Sequence, residues 1–182
     1  MTLAPVMAVV GPSGVGKDSV MEVLAAREPR IRLVRRVITR AADAGGERFE
    51  SVTEDEFARR RAAGAFALHW PAHGLHYGIP VEIDDMRRDA RAVLVNLSRA
   101  VLAEAAQRFD DFAIISLTAR PELLAERLAA RGREDAAERA RRLDRAAFSL
   151  PEGLSKVIEM DNSGPLDQTV DAILKLLQPE RA

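Results

Sequence analysis

The chain contains no cysteine, which excludes disulfides, thiolate metal sites and a cysteine nucleophile and is compatible with a cytoplasmic setting. It also lacks a charge excess: 27 Lys and Arg face 28 Asp and Glu, for a formal net charge of -1 and a pI near 6.3. A general nucleic-acid binder carries a basic surplus to meet the phosphate backbone, so that class is excluded. The arginines cluster locally instead, which suits several phosphate contacts in one cleft. No long hydrophobic run opens the chain; the apolar stretch there extends only from Pro5 to Val10 and stops at a glycine-rich segment. That is too short for a signal peptide or a membrane span. Repeats and low-complexity linkers are absent as well. What remains is 182 residues, 47% hydrophobic and 30% charged, the balance of one globular domain with a full core.

Along the chain, Pro5 to Val10 reads as a buried strand, and Lys17 to Arg27 as a helix with Val20, Val23 and Leu24 at helical spacing. Leu33 to Ile38 predicts a second strand. Thr53-Glu54-Asp55-Glu56 has the capping-box pattern and opens a helix to about Ala63. Phe66 to Trp70 reads as a short strand, Val81 to Ala90 as a helix, and Ala92 to Asn96 as a buried strand. Further on come a helix from Ser98 to Arg108, a strand from Phe112 to Leu117, and a helix from Pro121, with Thr118 able to cap it and Gly132 able to stop it. An arginine-rich helix from Ala136 to Phe148, a strand from Lys156 to Met160 and a helix from Leu166 to Leu177 complete the pattern. Alternating strands and helices imply an α/β fold with a parallel sheet covered on both faces. The interval from about 39 to 80 breaks that rhythm and holds all three histidines. It reads as an inserted acceptor-binding lobe, and 127–149 as a helical lid. The core is then 1–38, 81–126 and 150–182, in one domain.

Gly11-Pro12-Ser13-Gly14-Val15-Gly16-Lys17 has the spacing of a phosphate-binding loop. Glycines without Cβ atoms let backbone N–H groups turn around phosphate oxygens, and the following helix points its positive end at the same anion. Lys17 is placed to reach the β- and γ-phosphates. The residue after the lysine is Asp18, followed by Ser19, where the pattern wants a hydroxyl to touch Mg²⁺. An aspartate can ligate Mg²⁺ or hold its waters, so Asp18 is the candidate metal residue; the alternative is an acid that only complements the helix dipole. No acid stands at the end of the strand Val93 to Val95, where Asn96 and Ser98 can only orient water or substrate.

These residues resemble a family. Gly11 to Lys17, Thr39-Arg40, Gly46-Glu47, Glu56-Phe57, Gly64-Ala65-Phe66, Tyr77-Gly78, Arg131-Gly132 and Arg142-Leu143 follow the guanylate kinase order over nearly the whole chain. Within that superfamily the closer likeness is to the ribose 1,5-bisphosphate phosphokinases of phosphonate breakdown. It is carried by Gly-Lys-Asp-Ser at 16–19, Val37-Ile38-Thr39-Arg40, the segment His69 to Pro80, and Val95 to Arg99. The resemblance implies a P-loop NTPase fold with ATP and Mg²⁺ as cofactors. The departures from guanylate kinase concern its acceptor. The second arginine of that family is Asp43 here, its phosphate-contacting tyrosine is Phe49, its base-reading glutamate falls on Leu68, and the hydroxyl after Tyr-Gly is Ile79. Its central Asp-Ile-Asp is Asn96-Leu97-Ser98. Leu68 and Ile79 cannot satisfy the polar edge of a buried guanine, and a site built on polar readout loses about 10⁴–10⁵ in discrimination without its partners. A base-free sugar phosphate is the better acceptor.

The resemblance makes Arg40 a bidentate grip on an acceptor phosphate and Tyr77 a hydroxyl donor to it. Asn96 and Ser98 join them as substrate-binding candidates. Among the histidines, His-x₃-His-x₂-His around Pro71 and Gly74 does not describe a helix face, so a zinc site is disfavoured. Sugar or phosphate contacts from His73 and His76 stand beside a plain loop role. Arg127, Arg131, Arg133, Arg139 and Arg142 are the lid candidates, with Arg131 and Arg142 implied as the charges on the transferring phosphoryl. The alternative for Arg139 and Arg142 is pairing with Glu126, Glu134 or Glu138 on an exposed helix. Asn162 is implied near the adenine or the lid. The expectation is ATP-dependent phosphorylation of ribose 1,5-bisphosphate to 5-phosphoribosyl 1-diphosphate, with a sugar phosphate as the small-molecule partner, no nucleic acid and no membrane, and oligomeric state open. Guanylate kinase, a non-catalytic guanylate-kinase-like module and a nucleotide-binding switch are the alternatives; the intact loop argues against the module, and the switch would want an Asn-Lys-x-Asp element that is not found.

Overall fold

The computed structural model describes residues 2–43, 47–130 and 150–178. Strand β1 (Val6–Val10) is buried along its whole length. Such a run, apolar on both faces, fits only inside a sheet covered on both sides. It lies between β7 (Ala92–Asn96) and β8 (Phe112–Thr118), parallel to both, with Val9 beside Asn96 and Val10 beside Ser116. β2 (Ile31–Leu33) extends the sheet beyond β7, and β9 (Val157–Asp161) extends it beyond β8. The order β2-β7-β1-β8-β9 makes the end of β1 the point where successive connections diverge to opposite sides. Open parallel sheets bind ligands in that crevice.

Strand alternation divides the core. Met7 and Val9 face one way, with Leu94, Ile115 and Leu117, and pack on Val20 and Leu24 of α1 (Lys17–Arg27) and on Val170 and Ile173 of the last described helix, Leu166–Leu176, called α6 here. Val6, Ala8 and Val10 face the other way, toward a second sheet.

That second sheet has the order β4-β3-β6-β5, formed by β3 (Val37–Ile38), β4 (Glu50–Ser51), β5 (Phe66–Ala72) and β6 (Leu75–Pro80). The sequence predicts one strand from Leu33 to Ile38, and the structure corrects this. Val34 N–H still donates to Leu94 in the central sheet, and the chain then leaves through Arg35 and Arg36 to start β3 in the second sheet. Arg35 and Arg36 interrupt the apolar pattern at the crossing, but the pairs Leu33-Val34 and Val37-Ile38 on either side report only burial, which both sheets want. The β5–β6 hairpin turns through His73 (φ 52) and Gly74 (φ 73). Two successive positive φ values are what a two-residue hairpin turn requires. A bulge between Phe66 and Leu68 sends their side chains to opposite faces. Leu68, Trp70, Tyr77 and Ile79 enter the shared core. Phe66 and His76 stack instead on Phe57 of α2 (Glu54–Ala62), at 4.6 and 5.4 Å between rings. Thr53 caps α2 by accepting from Glu56 N–H at 3.1 Å.

Helix α3 (Ile83–Asp89) leads into β7. After β7 the chain makes a 3₁₀ turn at Arg99–Val101 before α4 (Leu102–Arg108), where one helix is predicted from Ser98. Helix α5 (Pro121–Ala130) follows β8, while Thr118 is itself the last residue of that strand. The predicted helix from 136 to 148, Gly132 as a stop signal, Gly46, and Arg131, Arg133, Arg139 and Arg142 lie outside the described residues. Among the described residues no helix is long and apolar enough to cross a membrane.

Candidate active site

The loop from Gly11 to Gly16 joins β1 to α1. Gly16 occupies the helix N-cap at φ 98, a conformation that side chains disfavour, and a Cβ there would lie 2.8 Å from Asn162 Nδ2. A Cβ on Gly11 would meet the Leu117 carbonyl oxygen at 2.7 Å. Both positions admit only glycine.

The loop is held from behind. Asn162 Nδ2 donates to the Val15 carbonyl at 2.8 Å, while Arg127 Nη1 donates to the carbonyls of Gly14 and Val15 at 3.2 Å each. A peptide's C=O and the next N–H point in opposite directions. Fixing the Val15 carbonyl on this side therefore turns the Gly16 N–H to the concave side of the loop, where an anion would sit. Asn162 is itself secured: its Oδ1 accepts from Thr169 Oγ1 at 2.7 Å, and its N–H donates to Thr118 at 2.7 Å. Arg127 Nη2 donates to the Asn162 carbonyl. Arg127, grouped with the lid arginines in the sequence, is thus a support of the loop. Asn162 is buried against the same loop.

Lys17 Nζ donates to the Gly11 carbonyl at 2.8 Å. Burial lowers its pKa from 10.5 to about 8; Asp18 and Glu47 oppose the shift, and the cations Arg36 and Arg99 add to it. Burial also pushes the Asp18 carboxyl up, and the charge of Glu47 pushes it further, against Lys17 and Arg36. Two acids therefore repel each other beside a phosphate loop. That is chemistry a divalent cation relieves, so Asp18 fits a Mg²⁺ site. Among the described residues no group of three or more His, Asp or Glu converges on a metal position. A Mg²⁺ ion there would take its remaining ligands from water and phosphate, as this ion commonly does.

Glu47 and Arg36 belong to the site, and the sequence assigns neither a role. They form a half-buried ion pair, each side chain 12% exposed, with Arg36 Nε at 3.1 Å and Nη2 also donating to the carboxylate. Asn96, at the end of β7, donates to Glu47 Oε2 at 3.4 Å. Ser98 accepts from Ala100 N–H at 3.4 Å and so caps the turn that follows. Arg40 lies with its guanidinium 4.3 Å from the Phe49 ring centroid, and its Nε is buried with no hydrogen-bond partner among the described residues. A buried donor without an acceptor is costly, and a bound phosphate oxygen would satisfy it. Tyr77 is buried, stacked on Trp70 at 5.5 Å. The structure thus brings Lys17, Asp18 and Asn96 together around Glu47 and Arg36, with Tyr77 against Arg36. It does not bring the histidines to them: His76 faces Phe57 on the other side of β6, and His73 is exposed at the hairpin tip.

A parallel sheet of this order, with a glycine loop and lysine at its switch point, defines a P-loop kinase. Solved structures show the same fold. A guanylate kinase from Anaplasma phagocytophilum matches with a TM-score of 0.65 at 20% identity, over 96% of this chain and 84% of that one. A gluconokinase from Sinorhizobium meliloti matches at 0.55 and 20% identity, over 97% and 93%. No family model matches the chain. Proteins named ribose 1,5-bisphosphate phosphokinase PhnN match it closely: one from Ruegeria sp. is 61% identical over 98% of this chain and 94% of its own, and one from Pseudomonas paraeruginosa is 48% identical over 95% of each. The chain belongs to the PhnN ribose 1,5-bisphosphate phosphokinase family.

Replacing Asn162 by Ala strands the Thr169 hydroxyl and frees one bond to the Val15 carbonyl. The variant should lose about 1–3 kcal/mol of stability and bind ATP more weakly, read by denaturant unfolding and calorimetry. An unchanged ATP affinity would deny Asn162 its part in shaping the loop. The Lys17 shift carries a pH signature. The ammonium is charged below about pH 8 in the nucleotide-free protein, so kcat/KM for ATP should fall as pH rises through that value. A profile flat to about pH 10, the range of an ordinary lysine, would contradict the lowered pKa.

Proposed function

We propose that the protein transfers the γ-phosphoryl group of ATP to the 1-phosphate of ribose 1,5-bisphosphate, forming 5-phospho-α-D-ribosyl 1-diphosphate, a step of phosphonate breakdown in the cytoplasm. The close relatives carry the name of that activity. The observation that carries the reading beyond the name is the pairing of Leu68 with Ile79 across the β5–β6 hairpin, 1% and 0% exposed. Where guanylate kinases read a base, this sheet offers closed hydrocarbon, and polar capacity is left only to Arg40, Tyr77 and their neighbours. That suits an acceptor recognised through its phosphates.

The acceptor phosphate is already ionised at neutral pH, so no general base is needed, and catalysis reduces to positioning and charge neutralisation. The loop N–H groups and Lys17 hold the donor phosphates. Arg40 and Tyr77 hold the acceptor, with Asn96 and Ser98 at the end of β7 beside it; His73 and His76, which the structure keeps away from these groups, take no part. Arg131 and Arg142 carry the charge of the group in transit, by the family resemblance. Mg²⁺, held at Asp18, would neutralise and align the β- and γ-phosphates.

ADP release from ATP and Mg²⁺ with ribose 1,5-bisphosphate and GMP as parallel acceptors tests the reading. Turnover with the sugar bisphosphate alone is the expected result; turnover with GMP alone would make the protein a divergent guanylate kinase. Lys17→Met should lower the rate at least about 10²–10³-fold, by analogy with the loss of one preorganised donor. In the same assay Asp18→Asn should need far more Mg²⁺ for half-maximal rate, and an unaltered Mg²⁺ dependence would remove Asp18 from the metal site.

A further inference from the structure

An acceptor with two phosphates needs two cationic sites, because each anion taken out of water must meet donors of its own. Arg40 accounts for one. The second arginine of guanylate kinases has no counterpart, since the residue three positions on is Asp43. The tertiary structure puts another guanidinium in the same region. Arg36 stands in the short segment that leaves the central sheet for the second one. One edge of its guanidinium, Nε and Nη2, is taken by the Glu47 carboxylate. Its carbon lies 5.0 Å from the Tyr77 ring centroid, and Tyr77 is backed by Trp70 in a nearly parallel stack, 8° between planes. Asn96 steadies Glu47 from the end of β7. A guanidinium has five N–H donors, and a bidentate carboxylate uses two.

The arrangement is preorganised: an arginine held at one edge by a carboxylate and on one face by an aromatic ring has little freedom left to lose when an anion meets its other edge. Its position is also specific. Asn96, which bonds Glu47, lies beside Val9 of β1 just before the phosphate loop, so the pair sits at the phosphate-loop end of the second sheet, where its charges also act on Lys17 and Asp18. Arg40 is four residues further along the chain, over Phe49, with its buried Nε unpartnered among the described residues.

From this geometry we infer that Arg36 is the second acceptor-phosphate arginine, meeting the phosphate that receives the transferred group while Arg40 holds the distal one, and that Glu47 is the residue that positions Arg36. The inference rests on the bisphosphate reading above and assigns its two phosphates to two side chains. Were the Arg36–Glu47 pair only a tether between the sheets, its loss would lower stability without singling out one substrate.

Steady-state ADP release by the full chain, varying ATP and ribose 1,5-bisphosphate separately, distinguishes the two. Arg36→Met should raise the acceptor KM about 10- to 100-fold, the loss of a charge-assisted hydrogen-bond pair, and leave the KM for ATP unchanged. Arg36→Lys keeps the charge and loses the fork, so its acceptor KM should rise by less. Glu47→Gln should also raise the acceptor KM by less than Arg36→Met, because the guanidinium remains but is no longer clamped. Calorimetric titration of nucleotide-free protein with ribose 1,5-bisphosphate should follow the same order. Should Arg36→Met fail to fold, Arg36→Lys decides by the same split between the two KM values. A wild-type protein inactive on ribose 1,5-bisphosphate would overturn both the function and this assignment. An active wild type whose Arg36 variants keep the acceptor KM, or raise only the KM for ATP, would overturn the assignment alone.

Discussion

The Val15 carbonyl is the point on which the phosphate loop turns. It accepts from Asn162 at 2.8 Å and from Arg127 at 3.2 Å, and those two donors come from the far half of the chain. A glycine-rich loop is otherwise the least ordered piece of backbone a protein can carry, since each glycine loses the most conformational freedom on folding. Holding its carbonyls from one side commits its N–H groups to the other without spending any side chain inside the cleft. The holders are themselves held: Thr169 on α6 bonds Asn162, and Arg127 sits on α5. The packing of α6 on α1 through Val170, Ile173, Val20 and Leu24 thereby reaches the chemistry directly.

A second constraint lies where the chain passes from one sheet to the other. Arg35 donates to the Phe49 carbonyl and Arg36 to Glu47, so the crossing is stitched on both sides by guanidinium groups. The shared hydrophobic core beneath them contains Val93 and Val95 of the central sheet with Ile38, Leu68 and Ile79 of the other. The lowered pKa of Lys17 belongs to the same economy of charge. Its burial, with a smaller contribution from Arg36 and Arg99, makes the nucleotide-free protein hold that proton weakly, and an arriving polyphosphate strengthens the hold.

Much of this architecture was legible beforehand. The loop, the helix after it and the buried strand from Ala92 to Asn96 are local features, in which glycine spacing and apolar runs act over a few residues. The loss of the guanine readers at Leu68 and Ile79 was legible by resemblance. The run from Leu33 to Ile38 misled, because an apolar pattern reports burial and not which sheet a strand joins. Arg127 misled for a related reason: its neighbours in the chain are arginines, while its partners are carbonyls more than a hundred residues away. The histidines looked like a set because they are close in sequence. Alternation along β6 and the hairpin turn separate them from the arginines.

By itself the sequence determined the class of chemistry. A phosphate loop needs its glycines and lysine in consecutive register, and no distant residue can replace them. It also argued against a base on the acceptor, because hydrocarbon at Leu68 and Ile79 cannot make the hydrogen bonds that read one. Only the tertiary structure decided which charges share the cleft. Arg36, Glu47 and Lys17 come from three different segments, and Coulomb interactions depend on distance in space, which chain order does not encode.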